Sequence, residues 1–401
     1  MPVAAATAYF VATGTPEPVL SAEYLAAAAF GYGGHRGRLA VALREAASMA
    51  RAAAAMATTS SNAGPHAPPA LPPPPPAALA EYARMCGHRS ARRVPVQYLV
   101  GEWDFHVLSG IALAPPVLIP RPETEGLVDA VLATAERRSA DGSGSHRGSS
   151  GGGPTFPPAR VLDVGVGSGA ILLSLLTAWG EGTTGVGIDV SPTAVALATA
   201  NANRFGLAGR ASFVEASIDA YVAAAAAVAA SSAGVRGGDA AAATATPPSH
   251  LSPRFDVLVS NPPYIPAADM AGLPPEVAWH EDTAALAGGG ADGLGVVRQV
   301  LGAAPTLVVP GGGRVARGGP IPSATHPRGG RGRGGGAPVG CISRGLYGKG
   351  PVCAPAGGRE RGAGGCRWWL ADHGRLNRIT CPRKETLAKE WELSPLHRRC
   401  P

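Results

Sequence analysis

The residues best suited to chemistry form the run Asn261-Pro262-Pro263-Tyr264, which directly follows the apolar segment Phe255–Ser260. The Asn261 side-chain oxygen and the Pro262 carbonyl can accept the two N–H bonds of a planar amide or amine and hold its nitrogen in one orientation. Pro262 and Pro263 stiffen the turn, and Tyr264 provides a flat wall. We predict that Asn261, Pro262, Pro263 and Tyr264 are catalytic residues. The alternative is a turn that only ends a strand.

A second group of residues is typical of a nucleoside site. Three alternate glycines follow the apolar segment Arg160–Val164, and glycines let the backbone approach a ligand closely. Asp189 ends the next apolar segment, where its carboxylate can accept both hydroxyls of a ribose. Asp163 stands where the dinucleotide fingerprint normally has an apolar residue, which favours S-adenosylmethionine over NAD. The predicted cofactor-binding residues are Gly165, Val166, Gly167, Ser168, Gly169, Asp189 and Asn261. With the Asn261 turn, this loop predicts methyl transfer to nitrogen; another kind of nucleotide-binding turn and a mere loop both stay open as alternatives.

Alternating strand-like and helix-like segments must position these residues. They predict a doubly wound, Rossmann-like α/β domain with a parallel sheet covered on both faces. The predicted strands are Arg160–Val164, Thr184–Val190, Phe255–Ser260 and Thr306–Val309, and the predicted helices are Ala170–Trp179, Ser191–Phe205 and Gly293–Ala304. Upstream, the sequence predicts a helix over Ser21–Arg51, a hairpin or two short strands within Val94–Pro120, and a helix over Glu123–Glu136.

Four low-complexity stretches interrupt these segments, at 52–80, 140–158, 220–253 and 311–365. Each lacks the aromatic and branched side chains that offset the entropy of ordering, so we expect mobile surface loops there.

The charge is unevenly distributed. The formal net charge is +7, but residues 314–401 hold 17 Lys+Arg and 5 Asp+Glu, a net of +12. Residues 1–313 therefore hold 18 basic and 23 acidic residues, a net of −5. A surface that tracks nucleic-acid phosphates would be basic around the active site. We expect no stable nucleic-acid binding.

Other composition features exclude further classes. No segment approaches the roughly 18 uninterrupted apolar residues of a membrane-spanning helix, so we expect a soluble protein without a membrane partner. Cys86 stands apart from the other cysteines, which all follow residue 340, and none has the spacing of a zinc site. We expect reduced thiols and no metal.

Longer motifs resemble the HemK/PrmC family of release factor glutamine methyltransferases. These are Pro95–Phe105 (PVQYLVGEWDF) and Val117–Glu125 (VLIPRPETE), together with the Asn261 turn and Glu281–Gly289 (EDTAALAGG). Gly14–Leu25 resembles the opening of the family's helical domain, and the resemblance covers most of residues 14–313.

The resemblance implies an enzyme that methylates the side-chain amide nitrogen (N5) of the glutamine in the Gly-Gly-Gln motif of class I peptide release factors, with S-adenosylmethionine as cofactor. It also implies a role in translation termination and four regions. These are a helical release-factor-binding domain (14–92), a β-hairpin linker (93–122), a methyltransferase domain (123–315) and a basic tail (316–401). Arg121 and Glu123 either serve the site or only join linker to domain.

The chain departs from the family at two places. Where an acidic residue usually lies near the adenine, this chain has Ser217, which carries no charge. After Gly313 the sequence becomes Gly/Arg-rich, which predicts that the family's last two strands are missing and the tail is disordered. A one-base shift of the reading frame over Val315–Ser323 can give WLEVDPSHP, which resembles the family's strand. A frame-shifted tail is thus one hypothesis and a genuine basic tail the other.

Two rival functions stay open. One is methylation of adenine nitrogen in nucleic acid, because that nitrogen presents similar geometry to the Asn261 turn. The other is a catalytically dead binding protein, because the region after Gly313 departs from the family. The sequence of Pro95–Phe105 resembles that of organellar members, so we expect a mitochondrial or chloroplast protein. Met1–Thr13 has no Arg, which is unusual for a transit peptide, so a cytoplasmic location stays open. We expect a monomer.

Overall fold

The computed structural model describes the backbone of residues 2–33, 74–140, 157–234, 254–317, 367–372 and 375–380. The chain divides into two compact units. One consists of Met1–Ile119 with Gly272–Asp282, and the other of Pro120–Ala271 with Thr283–Pro401.

The first unit is mainly helical. Its helices are α1 (Pro2–Ala12), α2 (Pro18–Ala29), α3 (Pro76–Ala91) and α4 (Val96–Val100). Their apolar faces bury Phe10, Leu25 and Tyr82, and the Tyr82 hydroxyl donates to the Ala22 carbonyl at 3.0 Å. Burial of these side chains holds the helices together.

Some predicted boundaries in this unit differ from the structure. The first helix begins at Pro2, before the predicted domain start at residue 14. The last residues of the predicted insert 52–80 are helical, because α3 begins at Pro76. Of the predicted helix Ser21–Arg51, α2 accounts for the part up to Ala29, and residues 34–51 lie outside the described residues.

The hairpin predicted within Val94–Pro120 is present. Strands β1 (Glu102–Phe105) and β2 (Leu108–Ala112) pair antiparallel, with Trp103 opposite Ile111. In the same unit, the segment Gly272–Asp282 contains a short helix, Pro275–Ala278, whose Glu276 carboxylate is 2.9 Å from both Arg89 and Arg93. These ion pairs fix the segment to α3, and Arg89 is itself buried.

The second unit is the predicted α/β domain, and the doubly wound fold is confirmed. Its helices are α5 (Pro122–Ala140), α6 (Ala170–Trp179), α7 (Pro192–Arg204), α8 (Ile218–Gly234) and α10 (Gly295–Leu307). Helix α9 (Pro275–Ala278) belongs to the first unit. Its strands are β3 (Arg160–Val164), β4 (Thr184–Asp189), β5 (Ala211–Glu215), β6 (Phe255–Ser260), β7 (Val308–Arg317), β8 (Arg367–Asp372) and β9 (Arg375–Thr380). In the described part of the chain these strands have the order β5-β4-β3-β6-β7-β8-β9, and only β9 runs antiparallel.

Continuous apolar strands explain why the sheet is covered on both faces. All six residues of β6 are buried, as are the last four of β3. Leu162, Leu258 and Phe255 belong to one core cluster with α8 and α10 side chains. A strand buried on both faces lacks alternation, and parallel sheets have this pattern.

The expectation of a surface loop over 220–253 is wrong for its first part. Residues up to Gly234 belong to α8, and Tyr221 (1% exposed) and Ala225 (0% exposed) lie in the core. The Ala-rich composition favours helix, and Tyr221 supplies the buried anchor that the composition obscured. Residues 235–253 lie outside the described residues.

The expectation that the tail supplies no further strands is also wrong. β7 extends through the glycines to Arg317, where Val315 pairs with Trp369 of β8, and β8 pairs with β9. These strands come from short segments beyond residue 365, which contain aromatic and branched residues that favour strands. Residues 318–366 lie outside the described residues.

Candidate functional site

The two chemical motifs leave the sheet at the same edge. β3 and β6 are parallel neighbours with Val164 beside Ser260, so the glycine loop and the Asn261 turn begin next to each other. The Ser260 hydroxyl donates to the Val164 carbonyl at 2.7 Å and joins the two strand ends. Strand order reverses between β3 and β6, since β4 and β5 lie on one side and β7 on the other. Ligands of such sheets bind outside the carboxyl ends at this reversal.

The glycine loop has the conformation that its sequence predicts. Gly165, Gly167 and Gly169 have φ of 75°, 55° and 85°, a region that side chains disfavour. A Cβ at Gly165 or Gly167 would meet no atom of the described residues within 4 Å, so these two glycines border open space in that part of the chain. At Gly169 a Cβ would lie 3.1 Å from Leu173, so this glycine serves helix packing. The loop therefore leaves room for a ligand along its first part.

Val166 and Ser168 hold the loop in place. The Val166 amide donates to the Ile188 carbonyl at 3.0 Å, and its side chain is buried. The Ser168 carbonyl accepts a 2.9 Å hydrogen bond from the buried Asn201 side chain of α7. Both contacts fix the path of the backbone, which supports a loop whose backbone meets the ligand.

Asp189 ends β4 beside the loop. One carboxylate oxygen accepts from the Gly167 amide at 2.9 Å, and the other accepts from the Ser191 amide at 3.0 Å. A carboxylate oxygen can accept more than one hydrogen bond. Asp189 thus shapes the glycine loop through the Gly167 amide, and its predicted role in binding a ribose stays a prediction.

Asp163 lies deeper in the sheet. It is 0% exposed, and its oxygens have no hydrogen-bond partner within the described part of the chain. Burial raises the pKa of Asp163 well above its usual value; the Leu172 backbone opposes part of this rise, and the charge of Asp189 adds to it. Asp163 therefore retains its proton more readily than an exposed Asp, beneath the loop.

The Asn261 amide has different surroundings at its two ends. Its Nδ2 is 3.5 Å from the Thr124 hydroxyl, at the limit of a hydrogen bond. Its Oδ1 is buried and has no hydrogen-bond partner among the described residues. Buried acceptors are nearly always satisfied, so an oxygen like this one needs an explanation.

The rest of the turn forms a partly covered wall. Pro262 is buried, and Pro263 and Tyr264 are half-buried. The structure brings all four residues of the turn to the edge that carries the glycine loop. Their catalytic roles stay predictions.

Ser217, the departure near the adenine position, has a local structural role. Its hydroxyl accepts from the Ala220 amide at 3.1 Å and caps α8. Ser is a preferred residue at a helix start because it satisfies a free amide there.

Sequence reasoning missed two groups of residues. Thr124, 3% exposed, belongs to the motif Val117–Glu125, in which Arg121 and Glu123 drew attention instead. Glu123 is exposed, whereas Thr124 faces Asn261. Gly288 and Gly293 approach the backbone of Tyr264. The spacing of Thr124 in the motif carried no signal for this contact, because the contact joins residues 137 positions apart.

Neither a metal-ligand cluster nor a membrane-spanning helix is present among the described residues. No cluster of three or more His, Cys, Asp or Glu there could hold a metal ion. No described helix is both long enough and apolar enough to cross a membrane. Cys86 is a buried free thiol, and burial raises its pKa to about 11.

Comparison with known proteins places these features in context. A family model described as "Methyltransferase domain" matches residues 161–246. A release factor glutamine methyltransferase of Rhodospirillum rubrum is 40% identical over 224 residues, which cover 56% of this chain and 53% of the relative. The human MTRF1L release factor glutamine methyltransferase is 35% identical over 226 residues, or 56% of each chain. A Geobacter sulfurreducens release factor glutamine methyltransferase is 36% identical over 56% of this chain and 60% of its own length.

The chain spans just over half the length of these relatives. A solved S-adenosylmethionine-dependent methyltransferase from Geobacter sulfurreducens is 21% identical, covers 47% of this chain and 45% of its own, and has a TM-score of 0.22, too low to support an argument. Over 56% of its length, the chain is similar to proteins named release factor glutamine methyltransferases, and the resemblance predicted from its motifs is confirmed.

Proposed function

We propose that this protein transfers a methyl group from S-adenosylmethionine to the side-chain amide nitrogen of the glutamine in the Gly-Gly-Gln motif of class I peptide release factors. It is thus an S-adenosylmethionine-dependent protein-(glutamine-N5) methyltransferase that supports translation termination. The names of the relatives and the chemistry of the site support the same reaction.

The buried, unpartnered Oδ1 of Asn261 carries this proposal. An amide N–H of the substrate gives this oxygen the partner that the described residues do not supply. The Nδ2 end faces Thr124, which favours the amide orientation that presents Oδ1 to the substrate. The Pro262 carbonyl accepts the second N–H, so the nitrogen is fixed by two acceptors.

The glycine loop fits the adenosyl and methionine parts of the cofactor. Open space borders Gly165 and Gly167, and Asp189 accepts from the ribose hydroxyls. Ser168 and Val166 keep the loop in this shape through Asn201 and Ile188. When bound, S-adenosylmethionine would supply a methyl group made electrophilic by its sulfonium: the carbon–sulfur bond breaks as the carbon–nitrogen bond forms, S-adenosylhomocysteine leaves, and the amide nitrogen releases one of its two protons.

The described residues supply orientation rather than a strong base. An amide nitrogen has a delocalised lone pair and negligible basicity, so its approach to the methyl group must be fixed in direction. Holding a reactant in the correct geometry lowers the barrier by several kcal/mol. Tyr264 completes the site as a flat, half-buried wall against the planar amide.

The proposal also includes the oligomeric state, the absence of stable nucleic-acid binding and the location of the protein. The protein acts on a release factor as a monomer, without stable nucleic-acid binding. The sequence of Pro95–Phe105, which resembles organellar members of the family, supports a mitochondrial or chloroplast location.

The test supplies purified protein with S-adenosylmethionine carrying a labelled methyl group and three acceptors. These are an intact class I release factor, the same factor with Gly-Gly-Gln changed to Gly-Gly-Ala, and duplex DNA or RNA. We expect label only in the intact factor. Label in nucleic acid would support the rival adenine methyltransferase, and cofactor binding without transfer to any acceptor would support a catalytically dead protein.

A further inference from the structure

The backbone after the Asn261 turn is held by a distant segment of the same unit. Ile265 forms a bridge with Ala287. The Ile265 amide donates to the Leu286 carbonyl at 2.9 Å, and the Gly288 amide donates to the Ile265 carbonyl at 3.0 Å. Ile265 is therefore fixed at both its donor and its acceptor.

Two glycines let this segment approach so closely. A Cβ on Gly288 would lie 2.7 Å from the Tyr264 Cα, and it would overlap the Gly293 carbonyl. A Cβ on Gly293 would lie 2.8 Å from the Pro266 amide nitrogen, and it would overlap the Tyr264 carbonyl. Backbone atoms cannot rotate away from such contacts as a flexible side chain can. Only glycine fits at these two positions.

The segment is itself anchored. The Val296 amide, in the first turn of α10, donates to the Gly288 carbonyl at 2.9 Å, and the Gly295 amide donates to the Gly289 carbonyl at 3.1 Å. The Asp292 carboxylate accepts from the Leu294 amide at 3.0 Å and forms an ion pair with Arg298. Helix α10 packs in the core through Val297 and Val300, so the segment has a rigid base.

We propose that Leu286, Gly288 and Gly293, which we name the glycine clamp, position the Asn261–Tyr264 turn for methyl transfer. The clamp fixes the Tyr264–Pro266 backbone, and this in turn sets where the Tyr264 wall and the Asn261 oxygen meet the substrate amide. The inference rests on the proposed function for its activity readout only, because the fixed backbone is measurable without a substrate.

Two glycines with nearly the same backbone conformation allow a matched test. Gly293 has φ of 72° and Gly290 has φ of 70°, so replacement by Ala strains both backbones similarly. The nearest atom to a Cβ on Gly290 is the end of the Asp292 side chain at 3.4 Å, away from the turn. Gly293→Ala and Gly290→Ala therefore introduce similar backbone strain, but only Gly293→Ala places a Cβ against Tyr264 and Pro266.

Two readouts are compared. Hydrogen exchange at the Ile265 and Gly288 amides, which form the two hydrogen bonds between the turn and the clamp, reports the clamp itself, and turnover on a release factor reports its effect. We expect Gly293→Ala to accelerate exchange at these amides and to lower kcat on the order of a hundredfold, since a displacement of about 1 Å near reacting atoms costs roughly that much. S-adenosylmethionine affinity stays within about twofold. Gly290→Ala changes neither exchange there nor kcat by more than about twofold.

Equal effects of the two variants on exchange would overturn the clamp, whether or not the protein is active. Faster exchange in Gly293→Ala with unchanged kcat would overturn its positioning role. An inactive wild type with a Gly293-specific change in exchange would instead count against the proposed function and leave the clamp intact. If Gly293→Ala does not fold, Asp292→Ala removes the acceptor of the Leu294 amide without adding atoms, and it must accelerate exchange at Ile265 for the clamp to stand.

Discussion

At the scale of single residues, the half-buried Asn261 side chain has a buried oxygen, Oδ1, that no described residue binds. Leaving a buried acceptor without a partner costs on the order of 1–3 kcal/mol. Thr124 faces the amide nitrogen of the same side chain, so the oxygen end of the amide is the end that remains for a substrate. A binding site for a substrate N–H group explains why Oδ1 has no partner among the described residues.

Asn261→Ala is expected to lower methyl transfer about a hundredfold or more, because losing one orienting hydrogen bond at a reacting centre typically has that effect. Cofactor affinity and melting temperature are expected to change little. Turnover on an intact release factor, calorimetry and a thermal melt measure the three quantities. Asn261→Asp is the informative partner, since it keeps the acceptor but loses the donor to Thr124. Retention of more than about a tenth of wild-type turnover in Asn261→Ala would make the turn structural.

Asp189→Ala is expected to weaken S-adenosylmethionine binding roughly tenfold to hundredfold, because hydrogen bonds to a charged acceptor are worth ~1.5–3 kcal/mol. The Gly167 amide also loses its acceptor, so the loop becomes less ordered. Calorimetry measures the affinity. Glu215→Ala, at an exposed carboxylate one strand further along, is the control. Unchanged affinity in Asp189→Ala would remove Asp189 from the site.

At the scale of elements, strand pairing decides which residues meet. β3 lies between β4 and β6, so Asp189, the glycine loop and the Asn261 turn follow one another along a single edge. Helix α8 packs beneath this sheet through Tyr221, whose ring lies 6.5 Å from that of Phe255. Helix α8 is therefore part of the core that supports β6.

Tyr221→Ala is expected to destabilise the protein by about 3–5 kcal/mol, the usual cost of removing a large buried aromatic side chain. Ala226→Ser, at an exposed position of the same helix, is expected to change stability by less than about 0.5 kcal/mol. Denaturant unfolding of both variants gives the free energies. Similar stability of Tyr221→Ala and wild type would show that α8 contributes little to the core.

The elements that sequence predicted well are those with continuous apolar runs or clear caps. Strands Arg160–Val164 and Phe255–Ser260 match the prediction, and Ser191 caps α7 through the Ala194 amide at 3.3 Å as expected. Strand β5 was missed, because Ala211–Glu215 is short and mixed in character. Helix α8 was missed because an Ala-rich sequence resembles a low-complexity insert. Its buried aromatic residue, Tyr221, was too weak a signal by itself to indicate a packed helix.

Contacts between distant residues limited what the sequence could reveal about the site. Glycine and carboxylate positions were predictable, since a fixed local spacing sets them. Thr124 and Gly293 were not, because each reaches the Asn261 turn through the fold.

At the scale of the whole molecule, the sheet continues beyond β7. The β8 and β9 backbones cover the edge that β7 otherwise exposes. An uncovered edge strand offers unpaired amides and carbonyls to other chains. The hypothesis of a shifted reading frame stays a prediction, and the transcript sequence across Gly313 tests it directly.

Truncation after Arg317 is expected to lower the melting temperature and to promote aggregation, because β7 then becomes an edge strand. Thermal melts and light scattering of the truncated and full chains measure both effects. Removal of 381–401 alone, which leaves β9 in place, is the control. Equal melting temperature and solubility after both truncations would mean that β8 and β9 add nothing to the sheet.

Mass spectrometry of a class I release factor produced together with this protein tests the central claim most directly. The glutamine of Gly-Gly-Gln is expected to carry one added methyl group on its side-chain nitrogen when the full chain is present. The same glutamine is expected to be unmodified when the Asn261→Ala variant is produced in place of the wild-type protein. An unmodified glutamine beside folded, cofactor-binding protein would contradict the proposed function.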